Sequence, residues 1–310
     1  MPTHIPGRIT RALLGAALAA GVVATAAPAS AATPAAVPEA VPAAADVPAT
    51  VRTLTPADAP AVYARAAYLV DATTGREHYG KRADARMPVA SLTKMMTAYV
   101  VLKEAKPTDT VEVTAEDVRY AARGGAAVAG LKAGDRLTVE DVLHALLLPS
   151  GADAAHVLAR TYGPGVDAFV AKMNATAREL GMHDTRYVNA DGMPTGGGGY
   201  STARDQARLA TAVLTDPTLK TITSTRYHEV PETDAHGAYW WRNTNRLLGE
   251  PGVIGVKTGF TNAAGYTLAF AADRNGSRLV GVILGETSSA RRFATAGALL
   301  DWAADRAGDR

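Results

Sequence analysis

Ser91 and Lys94 stand three residues apart in Ser91-Leu92-Thr93-Lys94, a spacing that puts both side chains on one face of a helix. Free serine is a weak nucleophile, and an amine that is neutral part of the time takes its proton and makes it acylatable. Lysine serves in this way only where burial or a second cation lowers its pKa. Val89, Ala90, Leu92, Met95, Met96, Tyr99, Val100, Val101 and Leu102 surround the pair with apolar side chains, which leaves Lys94 few places to be solvated. Pro88 suits the start of the helix. Ser91 then falls in or near the first turn, where free backbone N–H groups favour developing negative charge. Taken alone, the same four residues also describe a small polar residue beside a snorkelling lysine on a core helix.

Two further segments carry polar residues at the ends of apolar elements. Ser150-Gly151-Ala152-Asp153 follows the strongly apolar stretch 139–147 directly after Pro149. Lys257-Thr258-Gly259 ends a strand-like segment that starts at Val253. Each has an ordinary structural reading as well: Ser150 or Asp153 as a helix cap, Lys257 as an edge-strand charge.

The elements that must position these residues are legible in outline. Residues 66–70 are an apolar strand, the Asp71–Gly75 stretch a turn, and 76–79 a returning strand. The helix of Ser91 follows, then a mostly helical stretch to about Leu214, broken by a small hairpin around 131–135. Thr138 and Asp141 resemble a capping box for the helix 139–147. Late in the chain, Val253–Lys257, Tyr266–Ala271 and Leu279–Leu284 read as strands of a meander, with turns at Asn262 and Asn275-Gly276. A final helix covers 290–306. The expected class is therefore α/β of the α+β kind: an antiparallel sheet of about five strands from both ends of the chain, flanked by helices, with an all-helical region inserted.

Composition bounds the rest. Arg8 and Arg11, the apolar run 12–27 and Ala29-Ser30-Ala31 form the pattern of a secretory signal over 1–31. The arginines are not adjacent, which favours the general secretory route over a twin-arginine one. Residues 32–60 are rich in alanine and proline and read as a linker, leaving 61–310 as the folded domain. The chain carries 32 basic and 30 acidic residues, and loss of the signal removes two of the bases. Near neutrality argues against a nucleic-acid partner. No cysteine is present, so disulfides, thiolate zinc sites and a cysteine nucleophile are excluded. The seven histidines include no pair at the spacing of a helical metal site, and they read as structural or surface residues. No cofactor or metal is expected. The glycine run 196–199 lacks the following Lys-Ser/Thr of a phosphate loop and reads as a surface loop.

The order Ser91-x-x-Lys94, Ser150-Gly151-x, Lys257-Thr258-Gly259 resembles the motif set of penicillin-binding proteins and serine β-lactamases. Residues 137–155, 200–205, 243–248 and 257–266 are similar to low-molecular-mass D-alanyl-D-alanine carboxypeptidases of the peptidase S11 type. The resemblance implies the penicillin-binding-protein fold and a site in which Ser91 is the nucleophile, Lys94 its base and Ser150 a proton relay. It further implies that Lys257, Thr258, Gly259, Phe260 and Arg292 bind substrate, with Arg291 the neighbouring alternative to Arg292. Lys257 is expected to hold positive charge and help keep Lys94 neutral, Thr258 to meet the substrate carboxylate, and the N–H groups of Ser91 and Phe260 to form the oxyanion hole.

The implied partners are a peptidoglycan stem peptide ending in D-Ala-D-Ala and β-lactam antibiotics, in an exported, secreted or wall-associated enzyme without a stable membrane anchor. A β-lactamase on the same fold is the alternative, but no Glu-x-x-Leu-Asn segment lies between Ser150 and Lys257. A catalytically weak binding module is a second alternative, because Ala152 stands where the family's motif usually ends in asparagine.

Overall fold

The structure, a computed structural model, describes residues 54–195 and 197–308; the secretory-signal pattern of 1–31 lies outside them. The chain opens with β1 (Ala66–Asp71) and β2 (Glu77–Lys81), then a short 3-10 turn (Ala90–Leu92) that runs into α1 (Thr93–Leu102). Next come β3 (Thr110–Glu112), α2 (Ala115–Ala121), β4 (Arg136–Thr138), α3 (Val139–Leu147), α4 (Ala152–Tyr162), α5 (Val166–Glu179), α6 (Ala203–Thr215) and α7 (Pro217–Ser224). The last part holds β5 (Tyr227–Val230), β6 (Tyr239–Arg242), β7 (Val253–Thr261), β8 (Gly265–Arg274), β9 (Ser277–Glu286) and α8 (Ser289–Gly308).

The main sheet has five strands in the order β2-β1-β9-β8-β7, all antiparallel. The first strands thus lie beside the last ones, and the helical region is inserted between them. Period-two alternation explains why both sheet faces are covered. On β8, Leu268, Phe270 and Ala272 join Leu279 and Ile283 of β9 in a core against Phe293, Leu299 and Leu300 of α8. The opposite side chains, Ala269, Ala271, Val280, Val282 and Leu284, face the larger core built by α1, α3, α4 and α6. β8 and β9 join at Asn275 and Gly276, both with positive φ, the geometry of a two-residue hairpin.

Two small sheets depart from the sequence reading. The turn expected near 131–135 exists, with Asp135 N donating to Lys132 O at 3.2 Å. The strand that precedes it, however, is β3, which pairs with β4 across an intervening α2. β5 and β6 pair around a loop of eight residues, and such a loop carries no two-residue turn signature to read. Thr138 accepts from Asp141 N at 3.1 Å, but the Asp141 carboxylate turns to the Thr138 hydroxyl and His228; the complete capping box is Thr114 with Asp117 at α2.

Asp117 also binds α2 to α4. Burial alone would raise its pKa, but hydrogen bonds from His156, Arg160 and Thr114 prevail and hold it well below the usual carboxylate range. Residues 54–60, placed in the linker by composition, touch the domain: Leu54 pairs with Gly80 through bonds of 2.6 and 2.7 Å, and Asp58 accepts from Trp302 Nε1 at 3.2 Å.

Candidate active site

Ser91 occupies the 3-10 turn, directly ahead of the α-helix that begins at Thr93. Ala90 before it has φ +51°, a left-handed conformation that a β-carbon disfavours. Two contacts hold this turn. Leu92 N donates to Val89 O at 3.3 Å, and Thr267 Oγ1 of β8 donates to the same carbonyl at 3.1 Å. The nucleophile candidate is thereby fastened to the sheet from below.

Lys94 is 2% exposed. Its Nζ donates to Ser91 Oγ at 3.1 Å and to Asp191 O at 2.7 Å. Burial lowers its pKa to about 8, against the opposing pull of the Asp191 and Asp153 carboxylates. An amine with that pKa is neutral for a sizeable fraction of the time near neutral pH. The Asp191 carbonyl that receives Lys94 sits in a tight loop. Asn189 fixes it by accepting from Gly192 N at 2.8 Å and donating to Met193 O at 2.7 Å. Gly192 has φ +81°, and a Cβ there would collide with Ala90 O, so the loop lies flat against the Ser91 turn only because glycine stands at that position.

Ser150 follows Pro149 with φ +72°, and its buried Oγ has no hydrogen-bond partner among the described residues. It does not cap α4, whose N-cap is Gly151. Asp153 is committed elsewhere, accepting from the backbone N–H groups of Ala129, Gly130 and Leu131 at 2.9–3.1 Å. A strained backbone together with an orphaned buried hydroxyl points to function, since a structural serine would have found a partner. Ala152 is fully buried and its N–H donates to Ala127 O at 2.8 Å.

β7 forms the edge of the main sheet, with β8 its one strand partner. Lys257 is 1% exposed; burial, then the charges of Lys94 and Arg292, push its pKa well below the ordinary lysine value. Its Nζ donates to Thr258 O at 3.1 Å. Lys257, expected to help keep Lys94 neutral, is as deeply buried as Lys94 and has its own charged form penalised in the free site. Thr258 Oγ1 shares a 2.6 Å hydrogen bond with Thr244 Oγ1, and Thr244 N donates to Leu148 O at 3.2 Å. Thr244 therefore links the strand to the segment that leads into Ser150.

Gly259 lies so near the Ser91 turn that a Cβ would stand 3.0 Å from Ser91 N and collide with Thr267 Oγ1. Gly259→Ala is expected to displace either the turn or the strand and to lower the acylation rate by about a hundredfold. Stopped-flow acylation by a chromogenic β-lactam, with a melting curve to show the fold intact, measures this. Phe260 is half exposed and its ring packs against Tyr266 at 4.4 Å.

Arg292 is buried. Its Nη1 donates to Gly259 O at 2.9 Å and to Thr267 O at 3.1 Å, the carbonyls of a cross-strand pair. Burial lowers its pKa to about 10. Arg292 thus braces β7 and β8 from the α8 side, while Arg291 points to Thr287 and Glu286. Sequence reasoning had no signal for Asp191, which acts through its backbone carbonyl, or for Thr267; Thr244 lay inside a segment already noted for its resemblance. Among the described residues, no group of three or more His, Asp or Glu side chains is placed to hold a metal ion.

The sheet with α8 on one face and the helical region on the other, and a serine hydrogen-bonded to a buried lysine at the sheet edge, define a serine-type peptidase. A family model described as Peptidase_S11, D-alanyl-D-alanine carboxypeptidase, matches residues 53–288, and the chain belongs to that family. It is 36% identical over 264 residues to a D-alanyl-D-alanine carboxypeptidase of Streptomyces sp. strain K15, covering 80% of this chain and 90% of that protein. It is 33% identical to a D-alanyl-D-alanine carboxypeptidase of Bacillus subtilis, of which it spans 62%. The crystal structure of the Streptomyces K15 DD-transpeptidase superposes with a TM-score of 0.75 at 35% identity, over 79% of this chain and 98% of that one. The protein is therefore an enzyme, a hydrolase of the serine-peptidase kind.

Proposed function

We propose that the protein is an exported D-alanyl-D-alanine carboxypeptidase that removes the terminal D-alanine of peptidoglycan stem peptides through an acyl-enzyme on Ser91. The observation that carries this reading is the 3.1 Å contact between Ser91 Oγ and a buried Lys94 whose pKa is lowered to about 8. In the neutral form, the Lys94 lone pair takes the Ser91 proton as Oγ attacks the carbonyl of the penultimate D-alanine. The tetrahedral oxyanion is received by the N–H groups of Ser91 and Phe260. The C–N bond then breaks, and the departing amine takes a proton relayed through the Ser150 hydroxyl, which can both donate and accept. Water hydrolyses the resulting ester and frees Ser91.

Thr258 receives the carboxylate of the leaving D-alanine. That anion also restores the charge on Lys257, which the free site suppresses. Arg292 adds its charge from behind the strand, and the exposed edge of β7 at Gly259 pairs with the extended peptide. A β-lactam enters by the same attack, and because its leaving amine stays tethered the acyl-enzyme persists. Export rests on the secretory-signal pattern of 1–31; among the described residues no helix is long and apolar enough to cross a membrane.

Incubation with diacetyl-lysyl-D-Ala-D-Ala and with a fluorescent penicillin tests the reading. Release of D-alanine and a stable fluorescent band are expected. Rapid turnover of the penicillin would favour the β-lactamase, and no reaction with either probe would favour the binding module.

A further inference from the structure

Alternation along β5 and β6 puts Tyr227, Glu229, Trp240 and Arg242 on one face of the small sheet, with Tyr227 and Arg242 paired in register. A cavity of about 260 Å³ opens beside that pair. Arg226, Arg242 and Arg246 line it, and no carboxylate does. All three arginines are exposed, and among the described residues none forms an ion pair or donates a side-chain hydrogen bond. Glu229 shares the face but pairs in register with Trp240 and is not part of the cavity wall. The wall also contains none of Ser91, Lys94, Ser150 or Lys257.

The charges are held in place by the sheet itself. The Tyr227 ring lies 5.9 Å from Arg226 Cζ and 5.8 Å from Arg242 Cζ, within the range of a cation–π contact. Gathering three like charges costs energy that a bound anion returns. Asn245, also in the wall, points the same way by independent chemistry. It is 3% exposed, its Oδ1 accepts from Leu247 N at 3.1 Å, and its buried Nδ2 has no partner among the described residues. Buried amide donors are ordinarily matched by an acceptor. Asn243 is spent instead, donating to Thr225 O at 3.0 Å.

We propose that this cavity binds a phosphate group, its oxygens shared among Arg226, Arg242 and Arg246, with Asn245 Nδ2 as a further donor. Charge and shape select the ligand. A carboxylate brings one charge on two oxygens, enough for one guanidinium, whereas a phosphate monoester brings close to two charges on three strong acceptors. At about 30 Å³ per water-sized group the space holds roughly nine heavy atoms, which is a phosphate and the first atoms of what carries it. Thr244, between two residues of the wall, is bonded to Thr258, so a phosphorylated molecule held here lies next to the cleft and leaves Ser91 open.

Isothermal titration calorimetry at low salt tests this with three probes: inorganic phosphate, glycerol 3-phosphate and glycerate, the last a carboxylate on a similar carbon chain. Both phosphates are expected to bind with a Kd of about 1 mM or below, and glycerate at least about tenfold more weakly. Arg226→Gln and Arg242→Gln should each weaken phosphate binding about tenfold, the value of one charge-assisted pair. Arg76→Gln, which removes an exposed charge from the turn between β1 and β2, should leave it unchanged. Tighter binding of glycerol 3-phosphate than of inorganic phosphate assigns the site to a phosphate carried on a larger molecule, and the reverse order assigns it to the free ion. No binding of either phosphate, equal binding of glycerate, or equal losses in Arg76→Gln and Arg242→Gln overturns the site. None of these results bears on the chemistry at Ser91.

Discussion

Ser91→Ala is expected to abolish D-alanine release, lowering kcat by at least about 10⁴-fold while the protein stays folded. The size follows from what the hydroxyl does. It is the atom that would form the covalent bond, and the residue's environment leaves no substitute. Ser150 has a free buried hydroxyl, but the amine hydrogen-bonded to a serine is Lys94, and that serine is Ser91. The Ser91 side chain carries little of the packing around it, since the turn is held by backbone groups and Thr267. A melting temperature near that of the unaltered protein, with turnover lost, is the expected pair of readings. Substantial turnover in this variant would place the nucleophile elsewhere.

The second large effect concerns the base. The ammonium form of Lys94 has no lone pair, so kcat/KM should rise with pH, about tenfold per unit, and level off above a pKa of about 8. The sign follows from burial: a lysine whose charged form is penalised gives up its proton below its ordinary value of 10.5. Lys94→Arg keeps the charge and the length but supplies a group that stays protonated. It should cost about 10³-fold in acylation and remove the rise toward pH 8. A profile that is flat between pH 6 and pH 9 in the unaltered enzyme would exclude Lys94 as the base.

How much of this was legible in the sequence depends on which atoms carry each feature. The five-stranded sheet and its helical insertion were readable because β8 and β9 are short apolar runs, buried on both faces, that close on the turn residues Asn275-Gly276. The strands β3 and β4 were not, because three residues give too short a period to distinguish from a loop. β5 and β6 were missed because the strands, Tyr227–Val230 and Tyr239–Arg242, are joined by an eight-residue loop that carries no two-residue turn signature.

In the site, side-chain chemistry announced Ser91, Lys94, Ser150, Lys257 and Thr258. Backbone chemistry stayed silent: the Asp191 carbonyl and the close approach of Gly192 to Ala90 depend on where the chain folds back. Burial was the other hidden quantity. Lys257 reads as an edge-strand cation, yet it lies almost wholly out of water beside Lys94 and Arg292. Arg292, expected from the resemblance to bind substrate, is buried and donates to two carbonyls of the sheet.

The acylation centre itself is tested most directly by peptide mapping. The protein is treated with benzylpenicillin, digested, and the adduct located by tandem mass spectrometry. A penicilloyl group on the hydroxyl of Ser91 is the required result; an adduct on any other residue, Ser150 included, or no adduct at all, would contradict it.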